Sequence, residues 1–466
     1  MKMDFFRKKT VADFKETSEN SGLKKNLRAF DLALLGIGSV VGTGVFVATG
    51  QGAMMAGPAI IISFIIAAVT SALCALTYAE LSTMFPVSGS TYSYSYVAFG
   101  EIVAWIIGWN LMLTYLVSGA AVASGWSSTL VGMFSSYGIV LPEALTKSLI
   151  AGGFIDLPAV LITCVITWLL YVGVSESAKV NNIIVGIKVF VILLFIFLGL
   201  THIKPQNYIP FSPYGMGGIM SATAVIFFAY IGFDAVSTAA EETKNPKRDV
   251  PLGLLICLVT VVILYVGVAL ALTGMIPFKS IDVMNAIPNA LSQIGISWGS
   301  TLVATGAVIG MISTLLVTLY GQVRIFMAMS RDGLLPKAFA SINQKHGTPA
   351  TCTLITGVVT CVIAGFFPLT AIIDLCNIGT LFAFIAVSAG IIVLRKTMPD
   401  IERKFRCPWV PVLPLVAIGF CLYITLSVPL ITWIKFGIWI LAGVIVYFLY
   451  GAKHSRLNRS YAHAGE

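Results

Sequence analysis

Two short stretches within apolar segments hold residues suited to exposing backbone hydrogen-bonding groups: residues 36–44 (GIGSVVGTG) and residues 227–234 (FFAYIGFD). Glycine permits a kinked backbone and lets a ligand approach it closely. Inside a bilayer, backbone groups freed by a break are stable only where they line a cavity or are packed in protein. Two such breaks, one opening each half of a chain, are the best indication in a sequence of a transporter's binding site.

The first break presents amide groups to an anion. If the helix unwinds near residues 40–43, a second half-helix begins there, and its positive N-terminal end suits a carboxylate. The carbonyls that end the first half-helix are then free to accept hydrogen bonds from an ammonium group. The alternative is close helix packing, because Gly38 and Gly42 also form a small-xxx-small pair. The candidate binding residues are Val40, Val41, Gly42, Thr43 and Gly44.

The second break presents acceptors. Free carbonyls of Phe228, Ala229 and Ile231 complete an ammonium site, and the ring of Phe228 covers the bound ligand. Asp234 lies beside Gly232 in an otherwise apolar segment, where a carboxylate is costly without a partner. We interpret it as a cap or hydrogen-bonding partner within the break, in preference to a substrate contact. One half-helix site for each end of a zwitterion predicts an α-amino acid as the ligand.

Lys188 is a cation within the apolar segment 183–200. It lies roughly 8–10 Å from the nearer end of that segment at a rise of about 1.5 Å per residue. Two interpretations stay open. The side chain extends to the membrane interface, which a lysine of this length can reach. Alternatively the amine is buried, which disfavours its charged form, and it takes up and releases a proton during transport.

The elements that position these residues are membrane-spanning helices. The chain is 58% hydrophobic and 11% charged with a mean hydropathy of +0.93, whereas a soluble domain has roughly 25% charged residues. These values predict an all-α integral membrane protein, and the polar, basic first thirty residues show no cleavable signal. The last two apolar segments are short enough to be re-entrant. The twelve predicted segments are 31–56, 59–84, 102–130, 157–174, 183–200, 218–240, 250–275, 299–329, 350–366, 371–394, 412–428 and 433–450.

Basic residues predict the orientation. Of the 29 lysines and arginines, 24 fall on the side of the two termini, and Lys188 lies within a segment. The other four are Lys147, Lys204, Lys279 and Lys435. This asymmetry predicts an even number of spans with both termini in the cytoplasm. Glu80 and Glu101 are interpreted as solvated ends of spans on that side, with salt bridges of a gate as the alternative.

The sequence lacks the residues that other functional classes of membrane protein need. No histidine lies in a predicted segment and the eight cysteines show no paired spacing, so neither a metal site nor a nucleophile-base pair is indicated. A membrane-embedded enzyme is therefore not expected. A channel needs a pore ring, usually with symmetry across subunits, whereas this chain shows a single internal duplication. Nothing indicates nucleic-acid binding. The pattern favours a carrier.

Five motifs carry a family resemblance: 36–46 (GIGSVVGTGVF), 78–94 (YAELSTMFPVSGSTYSY), 227–242 (FFAYIGFDAVSTAAEE), 245–251 (NPKRDVP) and 328–336 (AMSRDGLLP). They resemble the amino acid–polyamine–organocation superfamily of permeases, and within it most closely the bacterial members of the cationic amino acid transporter branch. The resemblance covers nearly the whole chain. Several motifs together make it specific.

The resemblance implies the LeuT fold, with twelve transmembrane helices, of which the first and sixth are discontinuous. Residues 31–200 and 218–394 are then two inverted five-helix repeats and 412–450 two extra helices. Residues 1–30 and 451–466 are cytoplasmic termini. The implied protein is a carrier in the cytoplasmic membrane, expected to be monomeric, that works by alternating access. It needs no cofactor and uses proton coupling or exchange without sodium.

The resemblance also assigns roles to residues. Val40, Thr43 and Gly44 match the family's substrate-backbone contacts in the first span. In the sixth span Phe228, Ala229 and Ile231 match such contacts, with the aromatic ring acting as a gate. Lys188 matches a lysine of the fifth span that is linked to proton coupling.

Side-chain selectivity is a separate question. The branch suggests arginine or lysine, yet Thr114 stands where bacterial relatives often have an acidic residue. An unpaired cation in a dry site is costly, and Met311 aligns with a position that faces the pocket. We therefore predict import of neutral, small or branched-chain L-amino acids by proton symport. The alternatives are a cationic amino acid transporter and an amino acid exchanger.

Overall fold

Helices make up the regular structure of the computed structural model, which describes residues 5–9, 25–87, 89–173, 178–283, 285–343 and 348–458. Within these residues the β-structure consists of two isolated bridges, Leu27 with Thr243 and Asn343 with Thr348. The helices of the first half are α1 Ala29–Val40, α2 Thr49–Ala56, α3 Ile60–Met84, α4 Ser90–Phe99, α5 Glu101–Ser136, α6 Leu157–Val172 and α7 Ala178–Leu200. Those of the second half are α8 Gly215–Ile226, α9 Ala235–Thr238, α10 Pro246–Met275, α11 Ala286–Gln293, α12 Ser297–Arg331, α13 Ala350–Phe366, α14 Leu369–Thr397, α15 Val412–Leu426 and α16 Leu430–Val446.

Helical segments fill all twelve regions for which the hydropathy predicts spans. Eight helical stretches of the described chain are long and apolar enough to cross a membrane, and α1, α6, α13 and α15 are shorter apolar helices. Large apolar side chains stay exposed on the outer surface of the bundle, among them Phe197, Ile263 and Val358. Such a surface is stable in lipid, because the hydrocarbon replaces the protein partner that these side chains otherwise need. The chain is an integral membrane protein.

Both predicted breaks interrupt their helices. After α1, Val41 is extended, and the chain resumes as one π-helical turn, Gly44–Ala48, that runs into α2. After α8, a 3₁₀ turn, Phe227–Tyr230, ends at the extended residue Ile231. Gly232 follows with a φ of 113°, which a residue with a side chain adopts only under strain. The breaks therefore lie where the glycines allow them.

Long helices surround the two broken segments. Helix α12 packs along α5, α10 packs against α1 and α3, and α14 packs against α5 and α15. Helices α2 and α8, one half of the first and one half of the second broken segment, also pack on each other. A small residue allows this approach: a Cβ on Gly52 of α2 would lie 2.6 Å from the Cδ1 of Ile226 at the end of α8. Each broken segment is thus held by complete helices on several sides.

One end of the bundle, called the basic face here, carries residues 5–9, the C-terminal ends of α12 and α14, and residues 452–458. Lys9 pairs with Asp332 just after α12, and Lys8 donates to the carbonyl of Ala98 at the end of α4. Lys247, at the start of α10, pairs with Glu402 in the segment after α14. Residues 1–4, 10–24 and 459–466 of the predicted termini lie outside the described residues.

The interpretation of Glu80 and Glu101 as solvated carboxylates is wrong. Both side chains have an exposed fraction of 0%. Arg395 and Arg403 pair with Glu80, and Arg7 pairs with Glu101. Carboxylates this deeply buried need such partners, because desolvation without a counter-charge is costly. The alternative, salt bridges with neighbouring arginines, describes what the structure contains.

Glu101 is the centre of a cluster formed by both ends of the chain. Besides Arg7, the hydroxyls of Tyr96, Tyr447 and Ser455 donate to its carboxylate. Asn458 closes the cluster by accepting a hydrogen bond from Arg7. We call this set of side chains the terminal cluster. It links a segment before α1 to one beyond α16.

Candidate binding site at the crossing of the two breaks

The two breaks cross in direct contact at the centre of the bundle. A Cβ on Gly44 would lie only 2.3 Å from the Cα of Ala229, and one on Gly232 would lie 2.7 Å from the hydroxyl oxygen of Ser39. Separations this short exclude any side chain at either glycine. Ser39 lies in the last turn of α1 and Gly44 begins the next half-helix, so both sides of the first break contact the second. The sequence places these glycines, and the structure shows that each of them contacts the other broken segment.

Backbone donors and acceptors converge at this crossing. Among the described residues the amides of Gly42, Thr43 and Gly44 have no backbone acceptor, as expected at the start of a helical segment. On the other segment, the carbonyls of Ala229 and Ile231 accept no hydrogen bond from the part of the chain that the structure describes. The carbonyl of Phe228 accepts from the Ile231 amide at 3.2 Å. One segment therefore offers N–H groups to a carboxylate and the other offers C=O groups to an ammonium.

Three of the carbonyls that end α1, those of Gly38, Val40 and Val41, are not free, contrary to the expectation from the sequence. Lys188 Nζ donates to the carbonyl of Gly38 at 2.7 Å. The hydroxyl of Thr314 lies 3.0 Å and 3.1 Å from the carbonyls of Gly38 and Val41, and Tyr265 donates to the carbonyl of Val40 at 3.0 Å. These acceptors bind groups of the protein itself. Among the described residues, acceptors for an external ammonium are left at the carbonyl of Ser39 and on the second segment.

Lys188 is buried, with an exposed fraction of 0%. Its amine also donates to the Thr314 hydroxyl at 2.8 Å, so α7 and α12 are joined to the end of α1 through one cation. A carbon on Gly310 would lie 2.7 Å from the lysine stem, so this glycine makes room for it. The side chain therefore does not reach the interface. Its charge sits against the negative C-terminal end of a half-helix, which favours a cation there.

Met311 and Thr43 meet on the wall of the crossing. Met311 is fully buried on α12, and the Thr43 hydroxyl lies 3.4 Å from its sulfur and 3.4 Å from the carbonyl of Val122 on α5. Gly125 allows this approach, since a Cβ there would lie 2.2 Å from the Thr43 methyl group. A long methionine side chain thus fills the space beside the first break.

A small cavity of about 30 Å³ with polar and apolar lining residues, room for one or two water molecules, lies next to the crossing on the α1 and α9 side. Asp234 borders it, and its carboxyl group interacts with the Tyr115 hydroxyl and the Gly232 amide. This geometry agrees with its interpretation as a hydrogen-bonding partner within the break. The other lining residues are Ser39, Leu111, Thr114, Ser118, Ile231, Thr318, Thr380, Ala383 and Phe384.

Of the residues predicted to bind substrate, Ile231 lines this cavity. The others, Val40, Val41, Gly42, Thr43, Gly44, Phe228, Ala229 and Met311, are buried at the crossing itself. The structure therefore describes a closed arrangement in which the two segments are packed on each other. Their roles in binding stay predictions.

Sequence reasoning singled out Thr114 for selectivity but missed the other hydroxyls of this region. Thr114 and Ser118 lie four residues apart on α5, as do Thr314 and Thr318 on α12. The hydroxyl of Thr114 donates to the carbonyl of Asn110, and the hydroxyl of Thr318 donates to the carbonyl of Thr314. Each hydroxyl hydrogen is therefore bound within its own helix. The oxygen remains available as an acceptor. Hydroxyls spaced by four in an apolar helix were the available signal, because that spacing puts them on one face.

These features define the class: a multi-pass helical membrane protein with a central site built from interrupted helices. Among the described residues there is no group of three or more metal-binding side chains. The model of the amino acid permease family matches residues 27–450, and the chain belongs to that family. Its members are transporters, not enzymes.

Three relatives show the range of the family. The chain is 47% identical to the branched-chain amino acid permease BcaP of Bacillus subtilis (strain 168), covering 98% of this chain and 100% of the relative. It is also 47% identical to the methylthioribose transporter of the same organism, covering 97% of this chain and 99% of that relative. Similarity to the cationic amino acid transporter 4 of Mus musculus is lower, 37% over 82% of this chain and 61% of the relative.

Proposed function

We propose that this protein imports neutral, branched-chain or small L-amino acids across the cytoplasmic membrane. The observation that carries the proposal is the crossing of Gly44 with Ala229, which sets free amides against free carbonyls. An α-carboxylate and an α-ammonium need those two sets of groups on opposite sides. Two relatives along nearly the full length, from Bacillus subtilis and Lactococcus lactis, are branched-chain amino acid permeases.

The proposed architecture is that of the LeuT fold. Twelve spans would form two inverted five-helix repeats, 31–200 and 218–394, followed by two further helices at 412–450. The basic face then lies in the cytoplasm with both termini, in accordance with the distribution of lysine and arginine. A single chain contains both interrupted segments, which is consistent with a monomeric carrier.

A neutral side chain suits the walls of the site. Met311 fills the space beside Thr43 without offering a charge, and Thr114 has no carboxylate. Asp234 is the nearby acid, but Tyr115 and the Gly232 amide already bind it. A cationic substrate would need a free counter-charge in this dry region. Cationic transport is therefore the less favoured alternative.

We propose that Lys188 couples transport to protons, and its contacts support this role. In its charged form the amine joins α7 and α12 to the end of α1 through Gly38 and Thr314. Loss of the proton removes the charge that favours this junction, which frees α1 to move relative to both helices. The ammonium supplies the positive charge itself, so transport is expected to need neither sodium nor a cofactor. Obligate exchange is the alternative mechanism.

Methylthioribose is a second candidate substrate. It is the substrate named for a relative as similar as the branched-chain permease, and the hydroxyl-lined cavity beside Asp234 favours a ligand with hydroxyl groups. A sugar, however, lacks the carboxylate and the ammonium that the crossing would bind. Competition between the two ligands separates the candidates.

The experiment is uptake of radiolabelled leucine into proteoliposomes, with an inward pH gradient, without a gradient, and with internal leucine. We expect gradient-driven accumulation that excess valine abolishes and that methylthioribose, arginine and lysine leave unchanged. Competition by methylthioribose without competition by valine would contradict the amino acid proposal. Uptake that requires internal leucine and ignores the gradient would identify an exchanger.

The coupling residue is tested in the same vesicles. Lys188→Met removes the amine and should abolish acceleration by the pH gradient. Lys188→Arg is the matched control for charge, and it should keep the junction to α1 but respond to the gradient weakly, because a guanidinium does not release its proton. Gradient-driven uptake that survives in Lys188→Met would show that the proton is carried elsewhere.

A further inference from the structure

The basic face contains a cavity of about 280 Å³ that is separate from the crossing of the two breaks. It lies where the end of α12 meets the turn that follows α16. The side of the cavity toward α12 is formed by the segment from Ser330 to Lys337, and the opposite side by residues from Tyr450 to Arg456. The lining residues are Ser330, Arg331, Gly333, Leu335, Lys337, Tyr450, His454 and Arg456.

Three cations line this cavity, and no acid is among its lining residues. Arg331, Lys337 and Arg456 are exposed, and none of them pairs with a carboxylate of the part of the chain that the structure describes. Asp332 follows Arg331 directly, but Lys9 and Tyr92 bind its two oxygens, each at 2.5 Å. The carboxylate next to Arg331 in the sequence is therefore occupied. Three positive charges converge without local neutralisation.

The backbone fixes this arrangement. The amide of Arg456 donates to the carbonyl of Asp332 at 2.9 Å, and a Cβ on Gly333 would lie 2.4 Å from the carbonyl oxygen of His454. Gly333 has a φ of 79°, so both its conformation and its surroundings require glycine. The ring of His454 stacks on Tyr450 with their centroids 4.1 Å apart. The cavity is thus built by a fixed contact between two chain segments.

We propose that this cavity binds the phosphate group of an anionic ligand. Guanidinium groups match phosphate oxygens with two parallel hydrogen bonds, and a lysine adds a compact charge. The lipid-facing side chains of Ile445, Phe448 and Leu449 precede the cavity along the chain. Basic pockets that border lipid in this way suit the headgroup of an anionic phospholipid, while free phosphate carries the same recognised group.

The ligand would connect two parts of the transporter. Arg331 and Lys337 lie at the end of α12, the helix that carries Met311 and Thr314 in the central site, whereas Arg456 belongs to the C-terminal segment. A bound phosphate neutralises the repulsion between these cations. It would hold the end of α12 against the segment that follows α16.

The test compares two triple variants of the full-length protein in neutral detergent. The site variant is Arg331→Gln, Lys337→Gln and Arg456→Gln. The control variant is Lys396→Gln, Lys404→Gln and Arg406→Gln, which removes the same charge from exposed positions of the same face. Thermal unfolding is followed while phosphatidylglycerol, phosphatidylcholine, or sodium phosphate at constant ionic strength is added.

We expect phosphatidylglycerol to raise the unfolding temperature of the wild type and of the control by about 3 °C, and to leave the site variant unchanged. Phosphatidylcholine should have no such selective effect. If sodium phosphate alone reproduces the selective shift, the ligand is a soluble phosphate. Equal responses of the site and control variants, or no response of the wild type to either anion, would overturn the proposal.

Discussion

Lys188 Nζ lies 2.7 Å from the carbonyl oxygen of Gly38, although 150 residues separate the two in the sequence. The carbonyl belongs to the last turn of α1, where no amide of the same helix reaches it. The lysine thus replaces a backbone donor that the break has removed. A single proton on this amine determines whether α1 ends on a cation or on a neutral group.

Thr314 shares this junction, and its removal should weaken coupling. Thr314→Val removes the hydroxyl that contacts Lys188 and the carbonyls of Gly38 and Val41. Losing one buried hydrogen bond costs about 1–1.5 kcal/mol, so we expect roughly a tenfold slower uptake and a shifted pH profile. Thr314→Ser keeps the hydroxyl and should restore both. An unchanged pH profile in Thr314→Val would show that the hydroxyl has no part in coupling.

The crossing itself is tested by Gly44→Ala. The added methyl group would meet the backbone of Ala229 at 2.3 Å, so the segments must separate and binding should be lost by more than tenfold. Leucine affinity can be measured by ligand-dependent thermal stabilisation. Gly437→Ala is the control, because a Cβ there meets no atom within 4 Å. Wild-type affinity in Gly44→Ala would contradict a site at this crossing.

Met311 is expected to limit the size of the substrate side chain. Met311→Ser removes the buried thioether beside Thr43 and leaves room for longer side chains. We expect phenylalanine or arginine to compete with leucine uptake in the variant at concentrations that do not affect the wild type. The measurement is a competition profile over all twenty amino acids. The same profile in both proteins would remove Met311 from the selectivity determinants.

Arg7 should matter for stability far more than an exposed basic residue. Its side chain and that of Glu101 are 4% and 0% exposed, and Arg7→Ala leaves the carboxylate buried without its cation. Breaking a buried pair in this way costs about 3–5 kcal/mol. Unfolding in detergent should show this loss, and adding Glu101→Gln should recover part of it. Lys247→Ala breaks the exposed pair with Glu402 and should have little effect.

Asp156 predicts a pH dependence of stability. It caps α6, accepting from Ser127 and from the Ala159 amide, and burial raises its pKa from 3.8 to about 6. The folded state therefore holds a proton that the unfolded state releases. The resulting stabilisation is fully present below about pH 4 and is lost as the pH rises through about 6.

The raised pKa of Asp156 corresponds to a change of about 2–3 kcal/mol in the free energy of unfolding. Asp156→Asn cannot titrate, so the difference in unfolding temperature between this variant and the wild type should change between pH 4.5 and pH 7.5. Glu143→Gln, at an exposed carboxylate in the same loop, is the control and should run parallel to the wild type. Parallel curves for Asp156→Asn as well would show that burial does not perturb this carboxyl group.

The breaks were predictable because their cause is local. Gly42, Gly44 and Gly232 lie within apolar segments, and the backbone departs from the helix beside each of them. The burial of Lys188 was not predictable to the same degree. A sequence gives the depth of a residue along a helix, but the side that the residue faces depends on packing by α1 and α12.

Glu101 shows where local reasoning fails. Its position at the start of α5 resembles a solvated helix end, and its partners Arg7 and Ser455 lie 94 and 354 residues away. The prediction of free carbonyls at the end of α1 failed for the same reason, because their donors Tyr265 and Thr314 come from helices distant in the sequence. Each group is satisfied by residues that no pattern of spacing connects to it.

The terminal cluster also has a consequence for biosynthesis. Arg7 leaves the ribosome long before Ser455 and Asn458, which follow it in the sequence. Until then Glu101 lacks the hydroxyl of Ser455, and Arg7 lacks its acceptor on Asn458. Chains interrupted anywhere before residue 455 cannot complete this contact. The cluster is therefore complete only in chains that reach Asn458, and a shorter chain would expose the unsatisfied Glu101 and Arg7 on the basic face.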